Sequence, residues 1–432
     1  MKSSKLIFVL SSLLFIFSCG SDDNPIDMTD DTMPPVLTDE VEVYEADFLH
    51  AGVVLAIENG QTSAYILNKE GEKLHTWTLA DRLGNDFELL DDGRALGAFK
   101  VANPPFSFGG GAGSAKIINP DSSIDWEYTL ADDNFLIHHD VELLPNGNVL
   151  MMVWERIDAT TAQQSGINTT IDIFPEKLIE VNPTTDQIVW EWRAWDHVVQ
   201  DTDANLPNFG VISDMPQRID HNYTTPDDVA GDIMHANGID YDAVNDVIYL
   251  SVNFYSEIWV IDHSTTTTEA ASNSGGNFGK GGDLLYRFGN PEAYKNTAGE
   301  RRFFNNHFPN LLEGSEPGAG NLLVYVNKGA NDLEQSTVYE LDIPSVFDLQ
   351  PNTDNEPAVV WSFTDPTMYH ARISGAVRLS NGNTLICEGD YGFWEVTTNG
   401  EIAWKYNGAG NYWRGYSYEL NDPSLSNLGL SF

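Results

Sequence analysis

Cysteine is almost absent from this chain: its 432 residues hold two, Cys19 and Cys387. If Cys19 is modified no intramolecular disulfide is left, and an exported fold must rest on its core alone. Basic residues are scarce too. Lys and Arg total 22 against 65 Asp and Glu, for a formal net charge of −43. That excludes a nucleic-acid binder, which needs a basic footprint, and it gives no electrostatic pull toward an anionic membrane surface. An anionic substrate has to be held by local donors against the field of the whole protein. Long hydrophobic runs are confined to the N-terminus, where Leu6–Phe17 falls short of the about 20 apolar residues of a spanning helix. After residue 40 no long stretch has helical periodicity, which excludes a helix bundle.

The N-terminus reads as a targeting device. "MKSSKLIFVLSSLLFIFSCG" has two lysines, an apolar run and then a cysteine, the pattern of a secretory signal peptide. Ile16-Phe17-Ser18-Cys19 resembles a bacterial lipobox, so residues 1–18 are expected to be removed and Cys19 lipidated. The following "GSDDNPIDMTDDTMPP" has little to bury, and residues 19–45 read as an acidic flexible tether. The acidic run resembles a surface-export signal of bacterial lipoproteins. The expectation is an exported protein, lipid-anchored to the outer membrane, with the leaflet left open and the cell surface one of the two sides.

The remainder, 46–432, repeats. Six segments end a short strand on Trp or another aromatic: "GEKLHTWTL", "SSIDWEYTL", "DQIVWEWRAW", "GDLLYRFGNP", "PAVVWSFTD" and "GEIAWKYNG". Before each lies a strand such as "AKIINPDS" or "VYELDIPS". Before most of those stands a strand-turn-strand such as "VELLPNGNVLMMV", with "VVLAIENGQTSAYI" as the weakest copy. Asn-Gly and Asp-Gly turns suit tight hairpins. Four short strands per unit cannot bury both faces alone, but six such sheets packed radially can. The prediction is an all-β, six-bladed propeller with four-stranded blades, its tryptophans filling the space between blades.

In a propeller, equivalent positions of successive repeats meet around one mouth. Histidines recur just ahead of the first strand of four units: His138 and His139 in "IHHDVELLPNG", His235 in "MHANGIDYDA", His307 in "NNHFPNLLEG" and His370 in "YHARISGAVRLSNG". Another unit has Asn85 at that place. The chain has ten histidines, and four or five in one register predict a shared site. Adjacent strand residues face opposite ways, so the sequence leaves open which of His138 and His139 points inward. Asn237, two residues after His235, should share its side of an extended segment and donate to an anion. Asp140 and Glu142 flank the histidine pair and could orient a ring. Three histidines could instead ligate zinc or copper, yet no His-x-His or His-Glu-x-x-His pair is present, so no metal ligand is assigned. No cofactor is expected, with a structural calcium on the channel axis the open alternative. The glycine-rich "FSFGGGAGSAKI" and "SGGNFGKGGD" lack the Gly-Lys-Ser/Thr ending of a phosphate loop and read as plain loops. The rival functions are a ligand- or glycan-binding propeller and a metal-dependent propeller enzyme using the histidines.

At these motifs the chain resembles a known family. "HHDVELLPNGNVLMMVWE", "DIMHANGIDYDAVNDVIYLSVNFYSEIWVID", "LLYRFGNPEAY" and "SGAVRLSNGNTLICEGDYGFWEVTTNGEIAWKY" are similar to the arylsulfotransferases, over roughly residues 50 to 420. The resemblance implies transfer of a sulfuryl group from a phenolic sulfate donor to a phenol acceptor without PAPS, in ping-pong fashion through a sulfated histidine. It implies His307 as nucleophile and His139, His235 and Asn237 at the sulfuryl group. Tyr255, Tyr369, Trp413 and Tyr416 are candidates to stack on the aryl ring. Two positions depart from the family pattern. Asn253 stands where the family usually has an arginine, and the Gln-His-Asp around the nucleophile is Asn306-His307-Phe308. An amide does not grip sulfate as a guanidinium does, so Arg372, near His370, is the expected replacement cation.

Overall fold

The computed structural model describes residues 35–432; the signal segment, Cys19 and most of the tether lie outside the described residues. The chain forms six antiparallel blades, each with four strands in radial order. Their innermost strands are Tyr412–Glu419, Leu83–Leu89, Phe135–Leu143, Ala236–Asp242, Asn306–Leu311 and Gly375–Arg378, which begin blades 1 to 6. The six-bladed propeller read from the repeats is the observed fold.

Closure of the ring differs from a simple run of six repeats. The innermost strand of blade 1 is the C-terminal Tyr412–Glu419, paired with Gly52–Glu58 through Leu55 opposite Tyr416. "VVLAIENGQTSAYI" was therefore a weak copy for a reason: it supplies the second and third strands of its blade, not the first. At the other end, Val41–Tyr44 adds a fifth, outer strand to blade 6, with Tyr44 opposite Trp404. The last residues of the expected tether thus belong to the fold, because "VEVY" alternates apolar and polar side chains and fits a half-buried edge.

The tryptophans join blades as expected. An outer-strand aromatic of each blade reaches the next. Trp77 packs edge-on against Phe87 at 5.3 Å between blades 1 and 2. The indole N–H groups of Trp126, Trp192, Trp361 and Trp404 donate to Asp186, Gly282, Thr398 and Lys69 of the following blades. Between blades 4 and 5, the Tyr286 hydroxyl donates to the Asn355 carbonyl. The Trp192 and Trp404 bonds are buried, where a polar edge needs a partner, while those of Trp126 and Trp361 lie at the exposed rim.

The inner strands are stitched by carboxylates. Asp140 Oδ2 accepts the backbone N–H of Ile239 at 2.8 Å, Glu142 accepts that of Tyr241 at 3.1 Å, and Asp240 accepts that of Leu311 at 2.5 Å. Asp140 and Glu142, expected to orient a histidine, are spent on this stitching and on Arg414. The Arg414 guanidinium bonds both oxygens of Asp140 at 3.0 and 2.8 Å, and its own residue is almost wholly buried. Burial, with Asp140 alongside, pushes the Asp86 carboxyl well above its usual range; Arg414 is the compensating cation.

One buried pair allows a stability prediction. Arg287 and Glu257 are both fully buried, with Arg287 Nε 2.9 Å from Glu257 Oε1. Arg287→Met leaves the carboxylate without its cation. It is expected to lower the unfolding free energy by about 3–5 kcal/mol in urea denaturation.

Candidate functional site

One mouth of the channel opens on a pocket of about 530 Å³, lined by His139, His235, His307 and His370, with Asn85, Asn253, Asn305, Lys328, Arg372 and Trp413 among its walls. Three histidines from consecutive blades converge there. The His139 and His235 rings lie 4.9 Å apart, edge to face. Trp413 stands between His139 and His307, at 5.7 and 5.9 Å.

Backbone conformation decides which histidine enters the pocket. His139 has φ of 52°, a left-handed conformation unusual outside glycine, and it sits in a bulge where the pairing shifts between Val141 and His138. The strict in-and-out alternation of a strand therefore fails. His139 lines the pocket, while His138 lies wholly buried behind it and does not, correcting its expected role in binding substrate. His138 stacks on Trp154 at 3.9 Å and 7°. Its Nδ1 is 2.8 Å from Nδ1 of His139, and its Nε2 is 2.8 Å from Glu176. Burial lowers the pKa of both imidazoles well below the usual value.

The glycine-rich loop, featureless in sequence, makes this possible. Gly110 has φ of 80°, and its carbonyl accepts the His139 N–H at 2.9 Å. A Cβ there would stand 2.0 Å from His139 Nε2. Gly110→Ala is expected to push the ring aside, read as a shift of the His139 imidazole resonances in NMR spectra, with the melting temperature measured alongside.

His235 is also left-handed, with φ of 48°, and the pairing shifts between Ala236 and Gly238. Asn237 consequently does not share its side. Its amide donates to the Asn306 carbonyl at 2.8 Å, below the pocket, so it is not the anion donor the spacing suggested. The His235 ring is held by Asp232, Nδ1 to Oδ2 at 2.5 Å, and stacks on Phe254 at 4.8 Å. Burial opposes its charge. The Asp232 carboxylate and its hydrogen bond outweigh that, and the pKa is raised. His235 can thus present a cation to an anion at a pH where His139 cannot.

His307 is fixed differently. Its Nδ1 is 2.6 Å from Asn327 Oδ1. The Asn327 amide nitrogen donates to the carbonyls of His370 and Ile373, both at 2.8 Å, which sets the orientation of the amide. The His307 proton therefore sits on Nδ1, and Nε2 carries a lone pair with no partner among the described residues. Burial pushes its pKa down to about 3, so the ring is neutral across the physiological range.

The remaining expectations divide. Asn253 lines the pocket, but its amide bonds the Asn306 carbonyl at 3.1 Å and Asn305 at 2.8 Å, so it acts as a brace and not as the family's arginine. Arg372 lines the pocket with an exposed guanidinium, beside His370, whose Nδ1 accepts two backbone N–H groups at 3.3 and 3.2 Å. Of the four aromatic candidates only Trp413 lines the mouth. Tyr255 is buried against the Asp220 carbonyl, and Tyr416 bonds Asp86 deeper in the channel.

Sequence reading missed Asn327, Glu176, Asp232 and Lys328. A signal existed for the first. "SVNFY" and "VYVNKG" put Asn253 and Asn327 after the last valine of the second strand in consecutive blades, and their N–H groups bond the equivalent carbonyls of His235 and Asn305. Among the described residues no group of three or more His, Cys, Asp or Glu side chains is arranged to hold a metal ion.

A family model described as Arylsulfotransferase (ASST) matches residues 122–411, about two thirds of the chain and all three convergent histidines. No curated protein matches the chain. Among solved structures, a protein of unknown function from Bacteroides caccae aligns with a TM-score of 0.49 and 13% identity, over 85% of this chain and 99% of that one. The Cps50 (Swd1) β-propeller domain of Myceliophteria thermophila aligns with a TM-score of 0.44 and 9% identity, over 87% and 96%. Apo AztD from Citrobacter koseri aligns with a TM-score of 0.38 and 8% identity, over 85% and 99%.

Proposed function

The chain belongs to the arylsulfotransferase family, and from that membership we propose that it carries a sulfuryl group from one phenol to another through a covalent adduct on His307. In the first half-reaction the Nε2 lone pair of His307 attacks sulfur, the S–O bond to the aryl group breaks, and the phenolate leaves with a proton from a neighbouring imidazole. In the second, an acceptor phenol gives its proton back, its oxygen attacks sulfur, and the S–N bond breaks. The observation that carries this reading is the His307–Asn327 contact. It holds the proton on Nδ1, aims a free lone pair into the pocket, and leaves an oxygen to stabilise the charge that the ring gains on attack.

The sulfuryl oxygens need donors that are already in place. His235, charged through Asp232, supplies one in the space left by Asn253, and Arg372 and Lys328 supply cations at the rim. Trp413 offers a face for the aryl ring. The test is incubation with 4-nitrophenyl sulfate and a phenol. Release of 4-nitrophenol that depends on the acceptor, with aryl sulfate formed in equal amount, supports transfer; absence of both contradicts it.

A pH dependence follows. A raised pKa means His235 is charged below that value and loses its charge as pH rises through it, so burst formation from the donor alone should fall along that basic limb. Its pairing with Asp232 likewise stabilises the fold below the unfolded pKa, about 6.5, and that contribution fades as pH rises through the folded one. Asp232→Asn should move the limb to lower pH, read in stopped-flow release of 4-nitrophenol.

Export and anchoring through Cys19 belong to this reading as well. Radiolabelled fatty acid should enter the wild-type protein and not Cys19→Ala.

A further inference from the structure

Behind the pocket lies a group of side chains that the transfer reading does not use. Glu176 and His138 are fully buried and reach no substrate. Yet they form an unbroken chain with His139: Glu176 Oε2 to His138 Nε2 at 2.8 Å, then His138 Nδ1 to His139 Nδ1 at 2.8 Å. A contact between two imidazole Nδ1 atoms holds one proton, donated by one ring and accepted by the other. The only end open to substrate is His139 Nε2, which has no partner among the described residues and lies in the pocket wall. The chain is held rigidly. Trp154 stacks on His138, the Ala236 N–H bonds the other Glu176 oxygen at 2.8 Å, and the left-handed His139 backbone turns its ring to meet His138.

We propose that Glu176, acting through His138, stores the proton that the two phenols exchange at His139. This rests on the sulfuryl-transfer reading. Before transfer Glu176 is the neutral acid and donates to His138 Nε2; His138 donates from Nδ1 to His139 Nδ1; His139 carries its proton on Nε2. As the leaving oxygen takes that proton, His139 Nδ1 takes the one on His138 Nδ1, and His138 Nε2 takes the one on Glu176. Glu176 is then a carboxylate, both rings stay neutral, and the sulfuryl group is on His307. The acceptor phenol runs the same three steps in reverse, so the proton balance closes over one cycle. The groups facing the relay are consistent with a neutral store. Asp232, His235 and Asp140 act on His138, and His235, His307 and Arg414 act on His139. Burial, together with Asp232, outweighs the Ala236 N–H and the His235 cation and raises the Glu176 pKa well above the carboxylate range.

Leaving-group dependence separates this role from a structural one. Glu176→Gln keeps the acceptor for the Ala236 N–H and can donate to His138, but it cannot release a proton. Burst formation from 4-nitrophenyl sulfate, whose leaving group needs no proton, should stay within a few-fold of wild type. Turnover of phenyl sulfate, whose phenolate is far more basic, should fall at least about 100-fold more, the size of a general-acid contribution. His138→Gln breaks the chain at its middle link and should give the same signature; melting temperatures of both are taken first, and the one that folds decides. Equal losses with the two donors, or no loss with either, overturns the relay. A wild-type protein that forms no adduct with either donor removes the transfer reading itself, a different outcome.

Discussion

His307→Ala is expected to reduce sulfuryl transfer by on the order of 10⁵-fold or more, the cost of removing a nucleophile that no neighbour replaces. His139, His235 and His370 share the pocket with it, and none has the required state: the Nδ1 of His370 accepts two backbone N–H groups, which leaves its proton on Nε2. His139 has its Nδ1 committed to His138, and His235 is held as a cation by Asp232. The change should leave folding almost intact. His307 touches the rest of the protein mainly through Asn327, and a neutral ring is removed, so no buried charge is stranded. The measurements are acceptor-dependent release of 4-nitrophenol and a thermal melt; loss of the first with the second nearly unchanged is the expected pair.

Asn327→Leu is the second large effect, expected to lower kcat about 10²–10⁴-fold. Leucine fills similar space but accepts no hydrogen bond. His307 then has no reason to keep its proton on Nδ1, and the tautomer with the proton on Nε2 presents no lone pair to sulfur. A tautomer-controlling partner lost from a catalytic imidazole has a cost of this order. The oxygen that meets the charge developing on the attacked ring is lost as well. Because Asn327 also ties the carbonyls of His370 and Ile373, a stability loss of about 1–3 kcal/mol should accompany it. The diagnostic readout is therefore the burst rate at saturating donor and a temperature well below the melt. A large drop there with little change in donor affinity separates tautomer control from a collapsed pocket.

Much of this architecture was legible in the chain. The six aromatic-ended strands marked the blades because each indole must cross to the next sheet, and a residue with a fixed task recurs at a fixed place. The histidines were legible for the same reason. The closing strand was not: Tyr412–Glu419 pairs with Gly52–Glu58 across almost the whole chain, and no local pattern reveals a partner so distant. Nor was the split between His138 and His139, since period-two reasoning fails where a bulge and a left-handed residue turn the strand. The same failure misplaced Asn237. Glu176 and Asp232 were hidden among 65 acidic residues, with nothing in composition to distinguish a buried carboxylate from a solvated one. The histidine pattern thus located the pocket, while the partners that set each imidazole's protonation became visible only in three dimensions.

The central claim is the covalent adduct on His307. It is tested most directly by mixing the protein with 4-nitrophenyl sulfate in the absence of acceptor, quenching at alkaline pH where an N-sulfated imidazole survives, and measuring intact and peptide masses. A gain of one SO₃ group on the peptide that contains His307, discharged by added phenol and absent in His307→Ala, is the predicted result. Turnover of the donor with acceptor present but no mass gain on any histidine, or a gain that persists in His307→Ala, would contradict it.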